Sequence, residues 1–462
     1  MSIPHHWPQG LRESDKPAYL ALADLIAEDI QTRRLPSGSR LPPLRSLADA
    51  LDLDYTTVAR GYAEAQRRGL ISAKAGLGTF VRTDQVMPNP RPLSAAEMTM
   101  NLPPEPQDKI LLQRLAAGFT QLQMTGDPYT LLRYQEFGGR AEDKAAGRRW
   151  LISRLPALSV EQILVCPGVQ SALLGLLTML ARPGELICTE AVTYPGIKAL
   201  AMQLGVRLLG LPTDDTGIDP QAFAHACHKH KPKALYCNPT LLNPTTATIP
   251  LARRQAIAAI ALEHGIPIIE DDAYGYLPVQ TPPPLACLVP HLTYYVTGLA
   301  KCMGAGLRIA HVAAPDAHAA KRLTVVLRAT AIMASPITTA LATRWINDGT
   351  AQAMLHAVRG ESNARQQIAA RILAGYAYAS QPEAFHLWLK LPQAWQPQEF
   401  SLHLRKYGIG VVDSEAFTVA GPAPQAVRLC LGGPLSRDEL RQALVLIADT
   451  LAQPAPVATG FL

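Results

Sequence analysis

Short apolar runs that alternate with helical segments constrain this chain most. The runs 162–166, 185–188, 234–237 and 266–269 are almost purely hydrophobic. Runs of that length suit strands buried on both faces of a sheet. Between them, 171–180 and 251–264 read as helices. Strand and helix in alternation predict an α/β domain with a mainly parallel sheet. In open sheets of this kind, ligands bind beyond the carboxyl ends of the strands. The residues that close each run are therefore the ones to read for chemistry.

Those residues form a constellation. Asp271 closes the run Ile268-Ile269-Glu270-Asp271, with Tyr274 three residues on. Lys301 follows an apolar stretch, in Thr297-Gly298-Leu299-Ala300-Lys301, and Gly304-Ala305-Gly306-Leu307-Arg308 comes next. Asn243 stands upstream in Pro239-Thr240-Leu241-Leu242-Asn243-Pro244-Thr245. An Asn, an Asp, a Tyr, a Lys and an Arg in that order are the parts of a pyridoxal phosphate pocket. The lysine would hold the cofactor aldehyde, and a carboxylate would keep the pyridine nitrogen protonated. Asp271 is the candidate for that nitrogen, and Tyr274 and Asn243 for the ring oxygen O3′. Gly168-Val169-Gln170-Ser171 follows a strand and opens a helix, so its N–H groups suit a phosphate. Arg308 would add a fixed cation to the same phosphate. Tyr194, in Thr193-Tyr194-Pro195-Gly196, could stack on the ring. Each motif alone is commonplace; the order, each at the end of a predicted strand, carries the argument.

The first eighty or so residues have a different character. Residues 19–30 have helical spacing, and Leu35-Pro36-Ser37-Gly38-Ser39 interrupts it. Pro42-Pro43 opens a second helix over 44–51, and Asp54 is a plausible cap for a third over 56–67. Residues 70–81 read as two short strands around Gly76 and Gly78. Helix, helix, turn, helix, hairpin is a winged helix-turn-helix pattern, assigned here to 12–82. From residue 33 to 82 there are nine basic and four acidic residues, the excess that DNA attracts. Residues 83–105 hold five prolines and no periodicity, which predicts a semi-rigid linker, and 106–455 form the body.

Length and composition agree. A chain of 462 residues, 48% hydrophobic and 17% charged, suits two buried cores. The net charge of +6 says little about partners by itself. Seven scattered Cys lack metal spacing, so no metal site is expected and a reducing compartment fits best. The N-terminus has no apolar signal core, and the apolar stretch 171–181 is too short for a bilayer. A cytoplasmic protein without membrane contact is expected.

From about residue 102 to 449 the chain resembles the fold type I, class I/II aminotransferases. That resemblance implies a large, mainly parallel sheet domain and a smaller C-terminal α+β domain. It implies Lys301 as the Schiff-base and catalytic lysine, Asp271 at the pyridine nitrogen, and Asn243 and Tyr274 at O3′. It implies Gly168, Val169, Gln170, Tyr194 and Arg308 around the rest of the cofactor. Arg428, in Ala426-Val427-Arg428-Leu429-Cys430, matches the arginine that takes a substrate or effector carboxylate. Tyr134 loosely resembles the tyrosine lent across a homodimer. The family usually has Ser-x-Ser-Lys where this chain has Gly298-Leu299-Ala300-Lys301, and Val169 replaces a common Ser or Thr. Thr297 is the candidate to restore one hydroxyl. Cys302 reads as a buried bystander.

Residues 16–82 resemble the GntR regulators, through Leu35-Pro36-Ser37-Gly38, Leu41-Pro42-Pro43-Leu44-Arg45, Tyr55-Thr56-Thr57-Val58 and Gly76-Leu77-Gly78-Thr79-Phe80-Val81. The match implies DNA contacts by Arg45, by Tyr55, Thr56, Thr57 and Arg60 at the recognition helix, and by Lys74 and Gly76 in the wing. Tyr55 stands where that family often has Arg. Head and body together resemble the MocR-type subgroup. This implies a cytoplasmic, homodimeric regulator that binds double-stranded DNA and senses an amino acid, an amine or a B6 vitamer through an internal aldimine on Lys301. The alternative is an aminotransferase that keeps a DNA-binding head.

Overall fold

The computed structural model describes residues 6–12, 14, 16–32, 34–36, 38–74, 78–81, 96–123 and 128–452. The chain divides into two compact units, 1–94 and 95–462.

In the first unit, α1 (Trp7–Arg12) precedes α2 (Ala18–Gln31), α3 (Leu44–Leu51) and α4 (Tyr55–Arg67). The expected start at residue 12 is therefore late. Trp7 is fully buried, and its indole N–H donates to the buried Asp29 at 2.8 Å. Pro43 ends the approach to α3 in an extended conformation, and Asp52 closes that helix at φ +54°. Asp54 caps α4, accepting the Thr57 N–H at 3.1 Å. The hairpin β1 (Ile71–Lys74) and β2 (Gly78–Val81) follows, with Ile71 opposite Val81. Leu22, Ile26, Leu47, Val58, Ile71 and Val81 share one core, so each helix and the hairpin contribute. The wing glycine Gly76 lies outside the described residues, as do Arg33 and Arg82.

The second unit begins with β3 (Ala96–Glu97), which pairs in parallel with β15 (Ile409–Gly410). The expected linker 83–105 is thus too long at its C-terminal end; 82–95 lie outside the described residues. Met98 is buried, its carbonyl accepts the Cys430 N–H, and Pro103 accepts the Gly433 N–H. Pro103 and Pro104 instead suit a strap with no repeating ladder of its own.

The large sheet is built from β4 (Ile163–Cys166), β5 (Leu186–Glu190), β6 (Arg207–Leu211), β9 (Ala234–Cys237), β10 (Ile268–Asp271), β11 (Thr293–Gly298) and β12 (Ala310–Ala313). A small hairpin, β7 (Thr213–Asp214) and β8 (Gly217–Ile218), interrupts the series. The order is β4-β12-β11-β10-β9-β5-β6, and only β12 runs antiparallel to its neighbours. Strands β4, β9, β10, β11 and β12 are buried at every residue, as runs covered on both faces require. The smaller sheet, β13 (Tyr378–Ala379), β14 (His386–Lys390), β17 (Ala426–Cys430) and β16 (Val412–Asp413), is antiparallel. This is the expected α/β body with a smaller C-terminal α+β domain. Among the described residues no helix is long and apolar enough to cross a membrane.

Candidate functional site

The carboxyl ends of β4, β9, β10 and β11 converge with the start of β12 on one cavity. Gly168, Val169, Gln170, Tyr194, Asn243, Asp271, Tyr274, Lys301 and Arg308 all line it. The nine residues expected around a cofactor are brought together from six places in the chain by the sheet's parallel order.

Strand alternation sorts the three acids at the end of β10. Glu270 faces away and accepts the Leu285 and Ala286 N–H groups at 2.8 and 2.9 Å. Asp272 also faces away, held by Tyr295 at 2.8 Å and by Arg154 at 2.9 Å. Asp271 alone faces the cavity. It is 2% exposed; Oδ2 accepts the Tyr236 hydroxyl at 2.9 Å, and Oδ1 has no partner among the described residues. Desolvation pushes its carboxyl up to about 7, Asp272 and Glu190 add to the rise, and Lys301 opposes it.

Lys301 sits in the 3-10 turn Leu299–Lys301 directly after β11. Its ammonium donates to the Asn101 carbonyl at 2.5 Å and lies 5.7 Å from the Tyr274 ring centre. Burial lowers it to about 8, and the nearby cations Arg428 and Arg308 act in the same direction. A lysine so placed is partly neutral near physiological pH, which is what a nucleophilic amine needs. Tyr274 is buried, and its hydroxyl accepts from Asn101 Nδ2 at 2.9 Å.

The anion end is made by the helix Val169–Leu180 and Arg308. Gly168 caps the helix at φ +84°, and a Cβ there would stand 3.0 Å from Arg308 Nη2. Only glycine permits both the backbone conformation and the approach of the guanidinium. Arg308 itself has φ +51° in the turn before β12. A Cβ on Gly298 would meet Val169 Cγ2 at 2.7 Å, so the two departures at 169 and 298 are one packing arrangement. Thr297 does not restore a hydroxyl to the cavity; it donates to the Asp272 carbonyl at 3.2 Å instead. Cys302 is buried with its thiol pushed up to about 12 by desolvation, consistent with a bystander. Tyr194 donates to Gln170 Oε1 at 3.3 Å across the cavity wall.

Arg428 lies on β17, 5% exposed, with no carboxylate partner among the described residues. Nη1 donates to Asn243 Oδ1 at 2.9 Å, Nη2 donates to the Thr99 carbonyl, and Nε is unpartnered. A buried, unpaired guanidinium is costly unless an anion meets it. Sequence reasoning missed the strap: Thr99 and Asn101 occupy the two cations, and Met100, Asn101 and Leu102 line the cavity. Nothing local marks them, because their role depends on β3 docking on β15. Tyr236 and Asn238 were also missed, although Tyr236 lies within a predicted strand and Asn238 directly follows it. Asn238 lines the cavity, donates to the Asp271 carbonyl and accepts the Asn243 N–H at 3.1 Å. Tyr134 is 76% exposed and does not line the cavity.

In the head, Arg45, Tyr55, Thr56 and Arg60 are exposed. Thr56 and Thr57 commit their hydroxyls to Asp54, and the Arg60 guanidinium rests 4.2 Å from the Tyr19 ring centre. Arg34, Arg67 and Arg68 are tied in ion pairs to Glu28, Glu64 and Asp24. Among the described residues Arg45 and Arg60 are in none, so they remain available cations. Lys74 ends β1, where its backbone pairs with Gly78.

The donor set fits pyridoxal phosphate: a buried carboxylate oxygen without a partner, a desolvated lysine, and a helix N-terminus beside an arginine. Among the described residues no cluster of His, Cys, Asp and Glu could hold a metal ion.

Comparison with known proteins agrees with this geometry. Residues 97–447 match the family model of aminotransferase class I and II, and residues 18–81 match that of bacterial regulatory proteins, gntR family. The HTH-type transcriptional regulator YdeF of Bacillus subtilis is 29% identical over 97% of this chain and 98% of its own length. The vitamin B6 salvage pathway transcriptional repressor PtsJ of Salmonella typhimurium is 26% identical, over 87% of this chain and 91% of its own. Among solved structures, the α-aminoadipate aminotransferase LysN of Thermus thermophilus, complexed with N-(5′-phosphopyridoxyl)-L-leucine, superposes with a TM-score of 0.70. It is 21% identical, covering 77% of this chain and 92% of that one, a likeness of fold.

Proposed function

This chain belongs to the aminotransferase class I and II family and carries a gntR-family head, and from that premise we propose how it works. It is a MocR-type transcriptional regulator; relatives that match along most of its length are named as an HTH-type transcriptional regulator and a transcriptional repressor. Its body binds pyridoxal phosphate on Lys301 and reads a small amine, either an amino acid or a B6 vitamer. The observation that carries this reading is the pairing, in one cavity, of desolvated Lys301 with the half-satisfied carboxylate of Asp271. Cytoplasmic residence and a homodimer accompany the reading.

When bound, the cofactor supplies an aldehyde that reacts reversibly with amines and a ring that draws electron density away. Lys301 supplies the protein's amine. Asp271, pinned by Tyr236, holds a proton at the ring nitrogen. Asn243 and Tyr274 orient the ring's oxygen side, and Tyr194 and Gln170 wall one face. The Val169–Leu180 helix N-terminus and Arg308 bind the phosphate. Arg428 receives a ligand carboxylate, and a bidentate carboxylate would take the place of the Thr99 carbonyl.

The strap supplies the coupling. Its Thr99 and Asn101 carbonyls sit on the two cations that cofactor and ligand need. Its N-terminal end continues through residues 82–95 into the head. A ligand with different affinity for the docked and released strap shifts the equilibrium between two states of the regulator.

The test is a titration of the purified, cofactor-loaded chain with the twenty amino acids and with B6 vitamers. The visible absorption and binding to the protein's own upstream DNA are followed together. One ligand class should change both. Lys301→Ala should abolish the visible band; an unchanged band in that variant refutes the lysine assignment. Sustained conversion of an amino acid to its oxo acid would instead favour the enzyme reading.

A further inference from the structure

Glu190, at the end of β5, is 1% exposed and lies among the walls of the same cavity without lining it. Desolvation raises its carboxyl above the ordinary range, and hydrogen bonds from neutral donors oppose that rise. Oε1 accepts the Asn238 N–H at 2.8 Å; Oε2 accepts the hydroxyls of Thr193 at 2.8 Å and Thr189 at 3.1 Å. Among the described residues no cation pairs with it. A buried carboxylate with hydrogen bonds but no counter-charge is expensive for a fold to keep.

Its partners say what it holds. Asn238 touches Asp271 and Asn243, two residues assigned to the cofactor ring. Thr193 precedes Tyr194, the residue on the ring face, and its N–H is fixed by the Phe417 carbonyl at 2.9 Å. One carboxylate therefore ties together the two loops that wall the ring. Among the described residues, the titratable groups that feel its charge include Tyr236 and Cys237 on β9 and Asp271 on β10. Two buried carboxylates, Glu190 and Asp271, thus face one region. Tyr236 and Asn238 stand between them as neutral groups.

We propose that Glu190 is a positioning residue for the cofactor, which aligns the Tyr194 and Asn238 loops and stays ionised as a second negative charge behind Asp271. The cation that balances both acids is the protonated ring nitrogen of the bound cofactor. A negative potential from two acids holds that proton more firmly than Asp271 alone would. This rests on the reading of the cavity as a pyridoxal phosphate site. The competing view is that Glu190 is protonated and serves only as a strut.

Glu190→Gln separates the two: the amide removes the charge and keeps an acceptor for the Asn238 N–H, while its NH2 must donate to the Thr193 and Thr189 hydroxyls that had donated to Oε2. Three quantities are measured on the full-length chain: pyridoxal phosphate affinity by equilibrium dialysis, the pH at which the bound cofactor's absorption changes as its ring loses a proton, and far-ultraviolet circular dichroism. With the fold intact, the variant should bind about tenfold more weakly, and its pH midpoint should fall by about one unit, the low end of a nearby-charge effect. Glu190→Asp, which keeps the charge and shortens the reach, should lose affinity while holding the wild-type midpoint. Unchanged affinity and midpoint in Glu190→Gln overturn the proposal, because a protonated strut predicts that result. Weaker binding with an unmoved midpoint overturns it too, since distortion alone would produce it. A wild-type chain that takes up no cofactor overturns the reading of the cavity itself, a different failure.

Discussion

Asp271→Asn should act in opposite directions on the empty and the loaded protein. In the folded chain the Asp271 carboxyl keeps its proton up to about pH 7, against 3.8 for the ordinary group. The fold therefore tolerates the neutral form and resists the ionised one. Asp271's contribution to stability is whole below about pH 3.8 and is lost as pH rises through about 7. A carboxyl whose titration moves by one pH unit on folding changes stability by about 1.4 kcal/mol, so the loss approaches about 4 kcal/mol by pH 8.5 and about 2 kcal/mol by pH 5.5. Asparagine is neutral at every pH and still accepts the Tyr236 hydroxyl. The variant without cofactor should be stabilised by roughly those amounts, more at the higher pH. Glu270 also titrates upward, to about 7, but it is common to both proteins and cancels in the difference. With cofactor the sign reverses. A charge-assisted hydrogen bond is lost, about 1.5–3 kcal/mol, or roughly 10- to 150-fold in affinity. Urea unfolding of both cofactor-free proteins at the two pH values, and dialysis against pyridoxal phosphate, measure the two halves. A variant less stable at pH 8.5, or one that binds the cofactor as wild type does, refutes the role assigned to Asp271.

Three further outcomes are expected. Arg428→Met should leave cofactor binding nearly unchanged and weaken the response to a carboxylate-bearing effector by roughly 10- to 150-fold, read from the titration midpoint; equal weakening for a ligand without a carboxylate would count against it. Arg45→Ala with Arg60→Ala should weaken DNA binding and reduce the slope of log K against log salt by about 0.9 for each phosphate that the protein no longer neutralises; an unchanged slope would remove both from the interface. Trp7→Ala should cost the head roughly 3–5 kcal/mol, because a fully buried indole is deleted and Asp29 loses a hydrogen bond. Head-specific proteolysis should rise in that variant while the body's cofactor absorption stays, and equal resistance to protease would show that α1 is dispensable.

Much of this protein was legible in its sequence because the signals were local. Buried strands announce themselves as short apolar runs, and the residue at a strand's end is fixed by the run that precedes it. Asp271, Lys301 and the Gly168 turn were readable for that reason. So were α3, α4 and the Asp54 cap, which depend on proline and on a side chain that reaches three residues ahead. Period-two alternation even separates Asp271 from the acids on either side of it.

Tertiary structure decided what depends on distant partners. Composition made 96–105 look like linker, yet β3 docks on β15 more than three hundred residues away in sequence, and the strap reaches Lys301 and Arg428. Thr297 looked like a spare hydroxyl, but the pleat turns it toward the Asp272 carbonyl. Val169 and Gly298 looked like two separate departures until the Val169 side chain proved to fill the space that a Cβ at position 298 would need. Glu190 carries no motif; its significance lies in the absence, among the described residues, of a counter-charge around a buried group. The sequence by itself determined which chemical groups stand at the strand ends, because backbone periodicity is local. Only the folded chain decided which of them share a low-dielectric cavity, because burial and pairing are set by residues far apart in the chain.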